Sequence, residues 1–200
     1  MGVANYLTFA RIFISPIFMF LYIEYELLGI PFFVLPYVLL FLLAVSELSD
    51  AFDGFFARRL HQVTDLGKIL DPMADSIYRI SVYLTFTRPP VNIPLLLVFI
   101  FLYRDSVISA LRTVCALRGF ALAARSTGKI KAIIQAISIF AITLLLIPYS
   151  LGLLSQSLLR VAATSVTAVA AAYALFSGAE YLWANRDYVI RLLTKDKRGA

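Results

Sequence analysis

Two hundred residues that are 61% hydrophobic and only 15% charged do not make an ordinary water-soluble domain. The formal net charge of +6 sits where membrane topology and anionic lipid account for it, which argues against a nucleic-acid-binding protein. A single cysteine, Cys115, excludes an internal disulfide, and a single histidine excludes a zinc cluster, leaving His61 as a solvated loop residue.

In chain order, apolar runs predict six helical spans, at about 7–26, 32–55, 67–87, 93–117, 130–149 and 158–184. A helix needs about 20 residues to cross a hydrocarbon core of roughly 30 Å, and each run meets that length. Residues 1–6 lack a basic leader region and no small-residue cleavage site follows, so the first run is expected to remain in the protein. Gly29-Ile30-Pro31, Pro89-Pro90 and the segment 148–152 punctuate the gaps. Short connections imply one compact bundle, a single domain over residues 1–200.

Arg58, Arg59 and Lys68 mark the junction of the second and third runs, and Arg118, Arg125, Lys129 and Lys131 that of the fourth and fifth. Arg186, Arg191, Lys195, Lys197 and Arg198 follow the last run, whereas the connections near Gly29 and Ser150 carry no basic residue. The positive-inside rule then places both termini and the two basic junctions in the cytoplasm, with Arg88 and Arg160 as outward exceptions. The expected fold is an all-α, six-helix integral membrane bundle, multi-pass in the inner (cytoplasmic) membrane.

Against this apolar background, residues 49–75 hold five aspartates. At about 100° per residue, Asp50, Asp53, Gly54 and Ala57 share one side of the second helix, and Gly67, Asp71 and Asp75 one side of the third. A short loop between the two helices makes them antiparallel neighbours whose acidic faces can meet near one membrane surface. Asp65, just after Thr64 and ahead of an apolar run, is expected to cap the third helix. Pro72 either kinks that helix or is tolerated within it. Gly54, Ala57 and Gly67 either clear space for a ligand or let helices approach closely.

Four converging carboxylates in a partly dehydrated site need neutralising. Protonation would make the site a proton relay. Two divalent cations would balance the charge instead, and an all-oxygen set selects hard ions, Mg²⁺ first, with Mn²⁺ or Ca²⁺ as alternatives. Paired metals are suited to phosphoryl displacement.

The string Asp50-x2-Asp53-Gly54-x2-Ala57-Arg58-x8-Gly67-x3-Asp71-x3-Asp75 resembles, without gap or substitution, the signature of the CDP-alcohol phosphotransferases. That resemblance implies a six-helix membrane enzyme, usually a homodimer, that moves a phosphatidyl or similar group from a CDP-linked donor to an alcohol. It implies that Asp50, Asp53, Asp71 and Asp75 hold two divalent ions, with Asp75 also taking the acceptor's proton. Gly54, Ala57, Arg58 and Gly67 would receive the CDP donor.

Further segments resemble the phosphatidylglycerophosphate synthase branch of that family. They are Asn5-Tyr6-Leu7-Thr8-x2-Arg11-x4-Pro16, then Arg104-Asp105 with Ser109-Ala110-Leu111-Arg112, then Gly128-Lys129-x-Lys131-x3-Gln135. CDP-diacylglycerol and glycerol 3-phosphate are the implied substrates. Two departures are Ser76, where that branch usually has Lys, and Ala132, where Thr is common.

A dianionic acceptor needs cations near the acids, and Arg112, Arg118, Arg125, Lys129 and Lys131 lie toward the same surface. Arg112, up to two turns inside its span, is the most expensive to leave without a partner. Arg104 and Asp105, deeper still, are expected to pair with polar neighbours and hold the bundle together. Glu47, one turn from Asp50, either supports the acids or bonds between helices. The competing readings are a sister transferase with another acceptor, such as inositol phosphate, serine or phosphatidylglycerol, and an ion or proton transporter. Clustering of the acids at one surface argues against the transporter.

Overall fold

Backbone polar groups out of reach of water must be paired within the chain, and a helix does this locally. The computed structural model describes the backbone of residues 3–59, 65–117, 125–188 and 190, and the side chains of 12–49, 73–117, 125–188 and 190. Its elements are α1 (Val3–Glu24), α2 (Leu35–Arg59), α3 (Asp65–Thr85), α4 (Leu95–Leu117), α5 (Ser126–Ser150) and α6 (Gln156–Ala184). Among the described residues there is no strand.

Helix ends fall within four residues of the apolar runs, and the differences have local causes. Residues 32–34 turn off Pro31, with the Val34 amide donating to the Pro31 carbonyl at 2.9 Å, so α2 starts three residues late. α5 starts four residues early because its first turn is the polar sequence Ser126-Thr127-Gly128-Lys129, which hydropathy overlooks. α3 begins at Asp65 and runs unbroken through Pro72. Gly29 and Gly152 adopt φ of 66° and 73° where the chain leaves α1 and α5, a conformation without steric cost only for glycine.

The helices pack as two rings of four that share the α3–α5 contact. One ring is α1, α2, α5 and α3; the other is α3, α4, α6 and α5. Among the described residues α2 and α3 both pack on α1 and α5 and form no principal contact with each other. Their expected pairing falls on 50–59 and 65–72, whose side chains lie outside the described residues.

The core is built from large side chains on α1 to α5 and small ones on α6. Phe18 meets Phe86 edge-on at 5.9 Å, and Tyr83 stacks on Phe101 at 4.6 Å. On α6, Ala163, Ala170, Ala171, Ala174, Ser177 and Gly178 are buried, letting α4 and α5 approach closely. The outside is apolar: Phe41 and Val169 are each 68% exposed and Leu96 72%, a surface suited to lipid rather than water. α5 and α6 are long and apolar enough to cross a membrane, and the apolar stretches Ile12–Glu24 and Leu35–Ser49 are shorter.

Candidate active site

The third helix carries the acidic face into the described part of the molecule. Asp50 and Asp53 lie on α2 and Asp71 and Asp75 on α3. The side chains of Asp50, Asp53, Gly54, Ala57, Arg58, Asp65, Gly67, Asp71 and Arg118 are outside the described residues. Asp75 is described and one quarter exposed, with Arg79 Nη1 4.0 Å from its Oδ2. Helical side chains lean toward the N-terminus, so Arg79 reaches back to the level of the acid one turn earlier.

Beside this face, the second ring encloses a polar seam centred on Asp105, whose side chain is 8% exposed. Lys131 Nζ donates to both Asp105 oxygens at 2.8 Å, Ser76 Oγ to Oδ2 at 2.7 Å, and Arg104 Nη1 to Oδ1 at 3.0 Å. Arg104 Nη2 then reaches Ser177 Oγ at 2.9 Å. Gly178 is what admits this arginine: a Cβ there would lie 3.0 Å from Arg104 Cγ. One carboxylate and its partners thus tie α3, α4, α5 and α6 together, the structural role among polar neighbours expected of Arg104 and Asp105. Burial of these charges is tolerable because Lys131 and Arg104 are both hydrogen-bonded to Asp105, although Arg104 Nε is left without a partner among the described residues.

Of the five basic residues expected to bind an acceptor phosphate, Arg118 lies outside the described residues and the other four differ in their partners. Lys131 is engaged with Asp105 inside the seam. Arg125 is bound to Glu180 on α6, whose other oxygen accepts from Thr127 Oγ1 at 2.8 Å. Lys129 is exposed. Arg112 is half-buried and has no hydrogen-bond partner among the described residues, and its charge acts on the buried Tyr181 hydroxyl. Glu47 is half-buried on α2. Ser76, the departure from the usual lysine, contributes a hydroxyl to Asp105.

Two buried residues escaped the sequence reading. Arg79 is 8% exposed and its Nε has no partner among the described residues. Gln135 stands in the sequence only as part of a motif, yet both atoms of its amide are buried without a partner among the described residues. Tyr83, one turn beyond Arg79, joins the two places: its hydroxyl donates to the Gln135 carbonyl at 3.1 Å and also meets Ser138 Oγ. The signal for Arg79 was available, since it stands four residues after Asp75 within an apolar run.

Among the described residues no three His, Cys, Asp or Glu side chains come together, and three of the four expected metal ligands lie outside them. The expected donor set suits a hard divalent ion, since it is all carboxylate.

A helical bundle apolar on its outside and charged between its helices has the character of a membrane protein with a polar interior. Residues 1–179 match the family model described as CDP-alcohol phosphatidyltransferase, and the chain belongs to that family. It is 33% identical over 155 residues to a CDP-diacylglycerol–glycerol-3-phosphate 3-phosphatidyltransferase of Bacillus subtilis, covering 74% of this chain and 79% of that protein. A protein of the same name from Rickettsia typhi is 34% identical over 149 residues, 72% of this chain and 75% of that protein. A CMP-forming cardiolipin synthase of Streptomyces coelicolor is 39% identical over 69 residues, 34% of this chain and 32% of that protein.

Proposed function

We propose that this protein transfers the phosphatidyl group of CDP-diacylglycerol to sn-glycerol 3-phosphate, giving phosphatidylglycerophosphate and CMP. The observation that carries the reading is the likeness, over about three quarters of the chain, to relatives named for that reaction. The enzyme would be one six-span domain in the cytoplasmic membrane, with its acids at the cytosolic surface, working as a homodimer. The acyl chains of the donor then stay in the bilayer while cytidine and acceptor arrive from water.

Asp50, Asp53, Asp71 and Asp75 would hold two divalent ions, Mg²⁺ or Mn²⁺, which when bound offset the carboxylate charge and polarise the donor diphosphate. Gly54, Ala57, Arg58 and Gly67 would seat the CDP portion. The primary hydroxyl oxygen of the acceptor forms a bond to the phosphorus nearer the diacylglycerol, and the bond from that phosphorus to the CMP oxygen breaks. An Asp75 oxygen receives the hydroxyl proton. Arg112, Arg118, Arg125, Lys129 and Lys131 are the proposed cationic surround for the acceptor phosphate. Of these, Arg112 has the strongest support, being half-buried with no described partner, whereas Lys131 would have to share itself with Asp105. Positioning and charge stabilisation supply most of the rate.

The shorter likeness to a cardiolipin synthase favours phosphatidylglycerol as the second candidate acceptor. Purified protein supplied with CDP-diacylglycerol and Mg²⁺ should release CMP with glycerol 3-phosphate and far less with phosphatidylglycerol, inositol phosphate or serine. Release that depends on one of the other acceptors overturns the assignment.

A further inference from the structure

Arg79 is the buried cation whose charge the described structure leaves least answered. Its side chain is 10% exposed, and among the described residues its nearest carboxylate oxygen is 4.0 Å away, beyond hydrogen-bonding distance, and its Nε is buried without a partner. The neighbouring carboxylate, Asp105, already receives Lys131, Arg104 and Ser76. Arg79 and Arg104 both lie close enough to Lys131 for like charges to repel. Among the described residues, Arg79, Arg104 and Lys131 have only Asp75 and Asp105 as carboxylate partners, and Asp105 is already shared by Lys131 and Arg104. A buried guanidinium with an open donor is costly unless an anion completes it.

A second observation points to a polar ligand at the same level. Gln135, on α5 opposite α3, keeps both amide atoms buried without a partner, and its backbone carbonyl is held by Tyr83, one turn from Arg79. A cation and an unused amide, on the two helices shared by both rings, match a small ligand that carries a phosphate and hydroxyls. Ser76 keeps this side of α3 uncrowded, its short side chain being spent on Asp105.

We propose that Arg79 is a phosphate anchor for the acceptor: its guanidinium, buried on α3 beside Asp75, binds the acceptor's phosphate and so presents the hydroxyl to the acidic face. This deepens the glycerol 3-phosphate reading and rests on it. The shared chemistry is a phosphate dianion, and the donor's diphosphate is the other place from which it could come.

The test uses the full-length protein in lipid nanodiscs, with Arg79→Gln and Arg79→Lys. Wild-type CMP release with glycerol 3-phosphate checks the functional reading separately, before any variant is compared. In Arg79→Gln the KM for glycerol 3-phosphate should rise about tenfold or more, as expected for one lost charge-assisted hydrogen bond. The KM for CDP-diacylglycerol should stay within about twofold, and Arg79→Lys should recover part of the loss. Inorganic phosphate, used as a competitor against whichever acceptor the wild type accepts, should inhibit Arg79→Gln about tenfold more weakly. An equal or larger rise in the donor's KM assigns Arg79 to the diphosphate and overturns the proposal. Unchanged acceptor KM and phosphate inhibition overturn it too. If Arg79→Gln does not purify as a folded species, Arg79→Lys decides: a selective rise in the acceptor's KM upholds the proposal, and wild-type constants overturn it.

Discussion

Replacing Asp105 with Ala tests whether one carboxylate holds the second ring together. The substitution removes four hydrogen bonds, two from Lys131 and one each from Ser76 and Arg104, at a site whose side chain is 8% exposed. Three of these run between helices, and interhelical hydrogen bonds in membrane proteins average about 0.6 kcal/mol, so those three give about 1.8 kcal/mol. Lys131, 7% exposed, would then be a buried cation without its carboxylate, and breaking such a pair costs about 3–5 kcal/mol. The expected loss is therefore about 2–5 kcal/mol, read from SDS-titration unfolding of the detergent-solubilised protein. A double-mutant cycle sharpens the test. Asp105→Leu combined with Lys131→Met removes both charges at once and should recover at least half of the single-variant loss, because a buried pair is replaceable by apolar groups of similar size. A loss below about 1 kcal/mol for Asp105→Ala, or a double variant whose loss equals the sum of the singles, refutes the reasoning.

Changing Asp50, Asp53 or Asp71 to Asn should abolish CMP release while the protein still inserts and purifies; EDTA should do the same to the wild type, with Mg²⁺ or Mn²⁺ restoring turnover. Gly178→Ala should lower the unfolding midpoint by an amount equivalent to about 1–2 kcal/mol, because its Cβ would lie 3.0 Å from Arg104 Cγ and displace that side chain from Ser177. Gly128→Ala, whose Cβ would stand an ordinary 3.7 Å from Arg104 Nη2, should be neutral within about 0.5 kcal/mol in the same titration.

Sequence by itself determined the six helices and which helix carries each of the acids. Both are local matters: an apolar run long enough to bridge hydrocarbon must be helical, and residues three or four apart share a helix face. The helix ends it misplaced are polar or turn segments, such as Ser126–Lys129 and residues 32–34, where hydropathy carries no signal. Tertiary structure alone decided which charges meet. Lys131 and Arg125 look alike in the sequence, both basic and near one membrane surface, yet the first is paired with Asp105 in the interior and the second with Glu180 at the rim. Arg79 and Gln135 acquire meaning only when α3 and α5 are placed side by side. A charge inside a bundle is defined by the partner that packing brings to it, and that partner lies dozens of residues away along the chain.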